Sequence, residues 1–215
     1  MRARLLRPAL SLLIATLLAT VPGGLIAAET PSPGAVGMGG RVEVAEAGYA
    51  LTLPDDWAFV VVSGEDIGPV LDEVSTIFPE LTDTVESFLV GGADFSLLAF
   101  GPGGPDVGGS VSCNVLDRPV EGLSLDQKVA AEVEGMQGLG DFLVGGPEVT
   151  ALDLPAGPAS RIDIGMQFPD VVLLSSSWVL TDGTTFHTLT CTDLTRPDDY
   201  WASIVETFEF LPTAD

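Results

Sequence analysis

The sequence predicts an α+β fold, an antiparallel β-sheet flanked by helices. Three observations lead there. Four strand-like runs fill the second half, "EVTALDL" (148–154), "SRIDIGMQF" (160–168), "VVLLSSSWVL" (171–180) and "TTFHTLTC" (184–191). Only "PAGP", "PD" and "DG" separate them, too short for the crossover that a parallel pair requires, so the four form a meander. Asp182-Gly183 is a strong two-residue hairpin signal. Helical periodicity, finally, is confined to stretches between and after the strands.

In chain order, "VEV" (42–44) and "YALTL" (49–53) read as strands around Gly48. Pro54 suits the second position of a turn over Asp55 and Asp56, after which "AFVVV" (58–62) is a third strand. Ile67, Val70, Leu71, Val74, Ile77 and Phe78 recur at helical spacing behind Glu65 and Asp66, which suit the positive end of the helix dipole. Pro79 breaks this helix. Leu81, Val85, Phe88 and Leu89 restart the period until Gly91 and Gly92. "DFSLLAF" (94–100) and "SVSCNVL" (110–116) are strands joined by "GPGGPDVGG", which runs into a strand rather than a helix and has no lysine, unlike a phosphate-cradling loop. Ser124 and Gln127 make a capping box for a helix with Leu125, Val129, Val133 and Met136 on its inner face, ending near Gly138 or Gly140. A last helix, with Pro197 in its first turn, turns Trp201, Ile204, Val205 and Phe208 inward before "FEFLP" closes the domain.

The ends and the composition bound the setting. Arg2, Arg4 and Arg7 precede an uncharged run of 13 residues, Ala9 to Val21, and small residues follow as far as Ala28. This is the layout of a secretory signal peptide, expected over 1–28, and the run is short of the roughly 20 residues of a membrane span. An uncleaved, membrane-tethering signal is the alternative. Residues 29–41 are rich in Pro and Gly and predict a flexible tether, leaving 42–215 as a single domain. Removal of 1–28 takes three arginines and no acid, so 31 acidic residues face only Arg41, Arg118, Lys128, Arg161 and Arg196. Such a surface repels phosphate backbones and anionic headgroups, which excludes nucleic acid as a partner. In an exported chain Cys113 and Cys191, each in a strand-like run, are expected to form a disulfide, with two buried free thiols as the alternative.

Little in the sequence carries reaction chemistry. His187, the only histidine, shares a strand face with Leu189 and Cys191 and reads as a structural imidazole. Ser175, Ser176 and Ser177 lie in mid-strand, without the strand-turn-helix elbow of a nucleophilic serine. One histidine and two distant cysteines do not make a zinc site. The two acidic-aromatic runs "PDDW" and "PDDYW" lack the alternating oxygen ligands of a calcium loop and read as chain punctuation, with Trp57 and Trp201 covering core. No catalytic residue, metal or cofactor is expected.

"YALTLPDDW" near the start, paired helices, a four-strand meander and a final helix running into "IVETFEFLP" together resemble the PsbP-like fold family, the α/β/α sandwich of the PsbP, Mog and DcrB type, nearest to actinobacterial exported proteins of the LpqN type. The resemblance covers about residues 42–211. It implies an exported, non-enzymatic accessory protein of the cell envelope or extracellular space that binds another protein. A carrier of a small apolar ligand is the alternative, and a hydrolase a more distant one.

Overall fold

The structure is a computed structural model describing residues 35–62, 67–90, 95–102, 111–168, 171–194 and 198–212, without the side chains of Phe88 and residues 198–200. The expected signal peptide, the first part of the tether, Glu65 and Asp66, most of the glycine-rich loop and Pro197 lie outside the described residues. No helix among those described is long and apolar enough to cross a membrane.

Among the described residues nine strands form one sheet in the order β1-β2-β3-β4-β8-β7-β6-β5, with β9 added beside β2. They are β1 (Val36–Val44), β2 (Tyr49–Val61), β3 (Phe95–Phe100), β4 (Ser112–Pro119), β5 (Glu148–Leu154), β6 (Gly157–Phe168), β7 (Val171–Thr181), β8 (Thr185–Asp193) and β9 (Glu209–Phe210). Every pairing is antiparallel. The helices are α1 (Gly68–Ile77), α2 (Thr82–Val90), α3 (Leu125–Gln137) and α4 (Asp198–Val205). The fold is therefore α+β and mostly strand.

The meander β5 to β8 follows the expected boundaries closely, because alternation and short turns are local signals. Two readings near the N-terminus are corrected. Residues Val36–Arg41 belong to β1 rather than to a tether, since β2 supplies a continuous partner from Val36↔Val60 to Val44↔Tyr49. Pro54-Asp55-Asp56 does not end a strand either. β2 runs through it as a bulge, because the register passes from Gly40↔Leu53 to Met38↔Ala58 and leaves residues 54–57 opposite Gly39 alone. Proline is tolerated there because a bulge needs no ladder hydrogen bond at that residue. Gly39 is required at the crossing: its φ is +35°, and a Cβ would lie 2.4 Å from the Asp55 Cα.

Two layers of side chains hold the sheet. On one face, Val70, Val74, Leu81, Val85 and Leu89 of the α1–α2 region pack on Val60, Leu98, Phe100 and Leu116, while Val129 and Met136 of α3 pack on Ile162, Val179 and Phe186. The capping box forms as expected, with Ser124 Oγ accepting from the Gln127 amide and Gln127 Oε1 from the Ser124 amide. Ile77 departs from its expected inward place and is 45% exposed, at the last residue of α1. The other face carries the largest cluster, where Trp201, Ile204, Val205 and Phe208 meet Tyr49, Leu51, Trp57, Leu97 and Trp178. Trp178 and Trp201 meet edge to face at 6.3 Å. α4 is the only helix on this side among those described, so helices flank the sheet unevenly. Cys113 and Cys191 are direct partners on β4 and β8 and form the expected disulfide inside this cluster.

The β7–β8 hairpin is closed by its aspartate. Asp182 Oδ1 accepts from the Thr184 amide at 2.7 Å, the Thr185 amide at 2.8 Å and the Thr184 hydroxyl at 2.8 Å, while Gly183 adopts φ +94°. Partial burial works to raise the Asp182 pKa, but these donors outweigh it and hold the carboxyl below its ordinary value. A depressed carboxyl stabilises the fold above its unfolded value of about 3.9, and that contribution is lost as pH falls through the folded one. Asp182→Ala is expected to cost about 0.5–1 kcal/mol near neutrality, at the low end because the group is solvated. Urea titrations of both proteins at pH 7 and pH 3 check this, with the difference shrinking at pH 3.

Candidate functional site

The one imidazole of the chain sits on β8, and β4–β8 register sets Asp117 directly opposite it. The two meet at 2.7 Å between His187 Nδ1 and Asp117 Oδ1. A carboxylate only accepts, so Nδ1 donates the shared proton. Nε2 is buried with no hydrogen-bond partner among the described residues. The ring is fully buried, edge-on to Tyr49 at 5.3 Å and packed beside Phe208 and Phe210 at 5.8 and 5.5 Å. Tyr49 in turn bonds Ser96 Oγ at 2.8 Å, and burial first, then the Asp117 charge, pushes its phenol well above the ordinary value.

This geometry orients an imidazole, but it seals the atom that would act as a base. β9 forms the lid: Phe210 lies opposite Tyr49, and Glu209 receives Arg41 from β1, with Nε at 3.0 Å and Nη2 at 2.5 Å. The serine run takes no part. Ser176 donates to Asp163, Ser177 bonds Thr190 Oγ1 at 2.9 Å, and Ser175 accepts from Thr192 at 3.3 Å. His187 is enclosed in the core, and no local signal announces its partner, because Asp117 is 70 residues away. Asp117→Ala is expected to cost about 1–3 kcal/mol by leaving a buried N–H unpaired. In proton NMR the parent protein should show a slowly exchanging His187 ring N–H resonance that is absent from the variant.

The acidic corner is likewise structural on its apolar side: Trp57 is fully buried while Asp55 and Asp56 point to solvent on the bulge. The side chains of Asp198 and Asp199 lie outside the described residues. Among the described residues no three His, Cys, Asp or Glu side chains converge to hold a metal ion.

The feature that offers itself to a partner is the β5 edge of the sheet. β5 pairs with β6 in unbroken register from Glu148↔Asp163 to Leu154↔Gly157. Residues 148–151 are exposed throughout. The segment before it continues the same edge of β6, with Leu143 bridged to Met166 and the Val144 amide bonded to the Gly165 carbonyl at 2.8 Å. Phe142, Val144 and Val149 are 48%, 51% and 50% exposed along this line, and the other exposed large apolar side chains described, Met38, Ile77, Val90 and Leu123, lie on other parts of the chain. The opposite edge is guarded: the β1 register is broken between Met38 and Gly40, where the β2 bulge faces Gly39, and Arg41 is paired with Glu43 and Glu209.

No family model matches the chain, and no curated protein matches its sequence. Solved structures with a similar course of the chain include a protein from Bacteroides thetaiotaomicron, 12% identical with a TM-score of 0.47 over 83% of this chain. This chain spans 51% of that protein's length. LpqN of Mycobacterium tuberculosis, described as involved in cell envelope biogenesis, is 12% identical with a TM-score of 0.44, covering 86% of this chain and 93% of its own. The immunity protein TplEi of the type VI secretion system of Pseudomonas aeruginosa is 12% identical with a TM-score of 0.37, over 81% and 76%. Likenesses at this level bear on the course of the chain and carry no argument about function.

Proposed function

We propose that this protein is an exported, non-enzymatic accessory protein of the cell envelope or extracellular space that works by binding another protein. The observation carrying this reading is the β5 edge, unpaired on its outer side among the described residues, with three exposed apolar side chains in line along it. The basic-apolar-small N-terminus and the buried disulfide support the oxidising, extracytoplasmic setting. The sealing of His187 under Tyr49, Phe208 and Phe210 supports an imidazole that shapes the core instead of moving protons for a substrate. Family membership is read the same way: the β2 bulge with its tryptophan, the helix pair, the meander and the final helix entering β9 support a PsbP-like assignment.

The test is photocrosslinking in the native host, with a photoreactive residue placed in turn at Val149, Val90 and Leu123, all exposed. The expected result is a discrete crosslinked protein outside the cytoplasmic membrane from at least one position. Absence of any adduct, with the purified protein turning over a substrate or retaining an apolar ligand on extraction, would replace this reading.

A further inference from the structure

We propose that β5 is completed by an extended, basic segment of a partner protein, which adds to the sheet as a tenth strand. The inference rests on the reading of the molecule as an interaction protein and assigns the surface and the chemistry of its partner. An edge strand presents the backbone N–H and C=O groups of alternate residues outward, which is the template for strand addition. Natural sheets block this with lysine, proline, bulges or cover. β5 lacks lysine and proline, its register is regular, and among the described residues nothing pairs with its outer side; its only charges are Glu148 and Asp153, which oppose an acidic strand and not a basic one.

Charge decides between occupants. Exposed acids mark the line at Asp141, Glu148 and Asp153, and Arg161, opposite Thr150 on β6, is held by Asp163 at 2.9 Å. A second copy of this chain would bring the same acids to the edge and a net charge of −23 against −23, which opposes association. A segment alternating β-branched residues with Lys or Arg meets both features, placing apolar side chains on Phe142, Val144 and Val149 and cations near the acids.

A display library of random ten-residue peptides, selected against the intact disulfide-bonded protein, tests this. The expected winners alternate Val, Ile or Thr with Lys or Arg. They should weaken with added salt and slow amide exchange within 148–154. Val149→Lys, and independently Ala151→Lys, should weaken them at least tenfold with the circular dichroism spectrum unchanged, because both positions are exposed. Enrichment of acidic or helix-patterned peptides, or binding indifferent to both variants, overturns the proposal. So does a dimer that either variant dissociates, since the edge then belongs to a second copy. If photocrosslinking in the host captures a partner through Val90 or Leu123 but not Val149, the interaction reading survives and the edge assignment falls; if neither experiment yields a partner, both fall.

Discussion

Trp57→Ala is expected to destabilise the fold by about 3–5 kcal/mol, the usual cost of truncating a buried tryptophan. For a chain of this size that corresponds to a fall in melting temperature on the order of 10 °C. The ring is fully buried and joins the largest core cluster, where the Gly101 backbone leaves room for it: a Cβ on Gly101 would lie 3.2 Å from the ring. Its loss opens a cavity beneath a bulge that has few ladder bonds of its own to resist collapse. The companion change, Asp55→Asn with Asp56→Asn, should shift stability by less than about 0.5 kcal/mol, since both carboxylates point to solvent. Thermal melts of the two variants separate the readings. If the aspartate variant keeps its melting temperature but loses calcium or partner binding, the corner is a site.

Removing the disulfide by Cys113→Ala with Cys191→Ala is expected to cost about 4 kcal/mol. The bridge closes a loop of 78 residues, and the chain-entropy model gives that magnitude for the unfolded state. Two buried sulfurs also leave the core, 3% and 0% exposed in the parent protein, so the loss should not be smaller than this. Guanidinium titration of oxidised parent and double variant measures it at the midpoint. Dithiothreitol should reduce the parent only as fast as the protein opens, because neither sulfur faces solvent. A midpoint unchanged in the double variant would mean that the β4–β8 pairing alone holds these strands.

The helices and the meander were legible because their signals are short-range. A capping box spans three residues, and a hairpin dipeptide two. Residues 42–44 of β1 are legible, but 36–41 are not, for a physical reason. Its glycines read as flexible composition, yet Gly37 and Gly39 answer packing demands: a Cβ on Gly37 would lie 2.8 Å from the Phe59 ring, and one on Gly39 would strike the Asp55 backbone. Neither demand exists until β2 lies alongside. Pro54 misled in the same way, since a proline that ends an isolated strand is compatible with a bulge once a partner strand bypasses it.

By itself the sequence determined an α+β chain with one antiparallel meander, a disulfide pair, a strongly acidic surface and a histidine on an apolar face, because each depends on composition or on neighbours a few residues apart. Only the tertiary structure decided that β4 lies beside β8, that Asp117 is thereby the partner of His187, that Phe208 and Phe210 close over that pair, and that β5 is left unpaired on its outer side among the described residues. Those facts come from pairing between segments tens of residues apart. Strand order and register are chosen by the whole set of cross-strand contacts and the helices that cover them, and no single window of the chain contains that information.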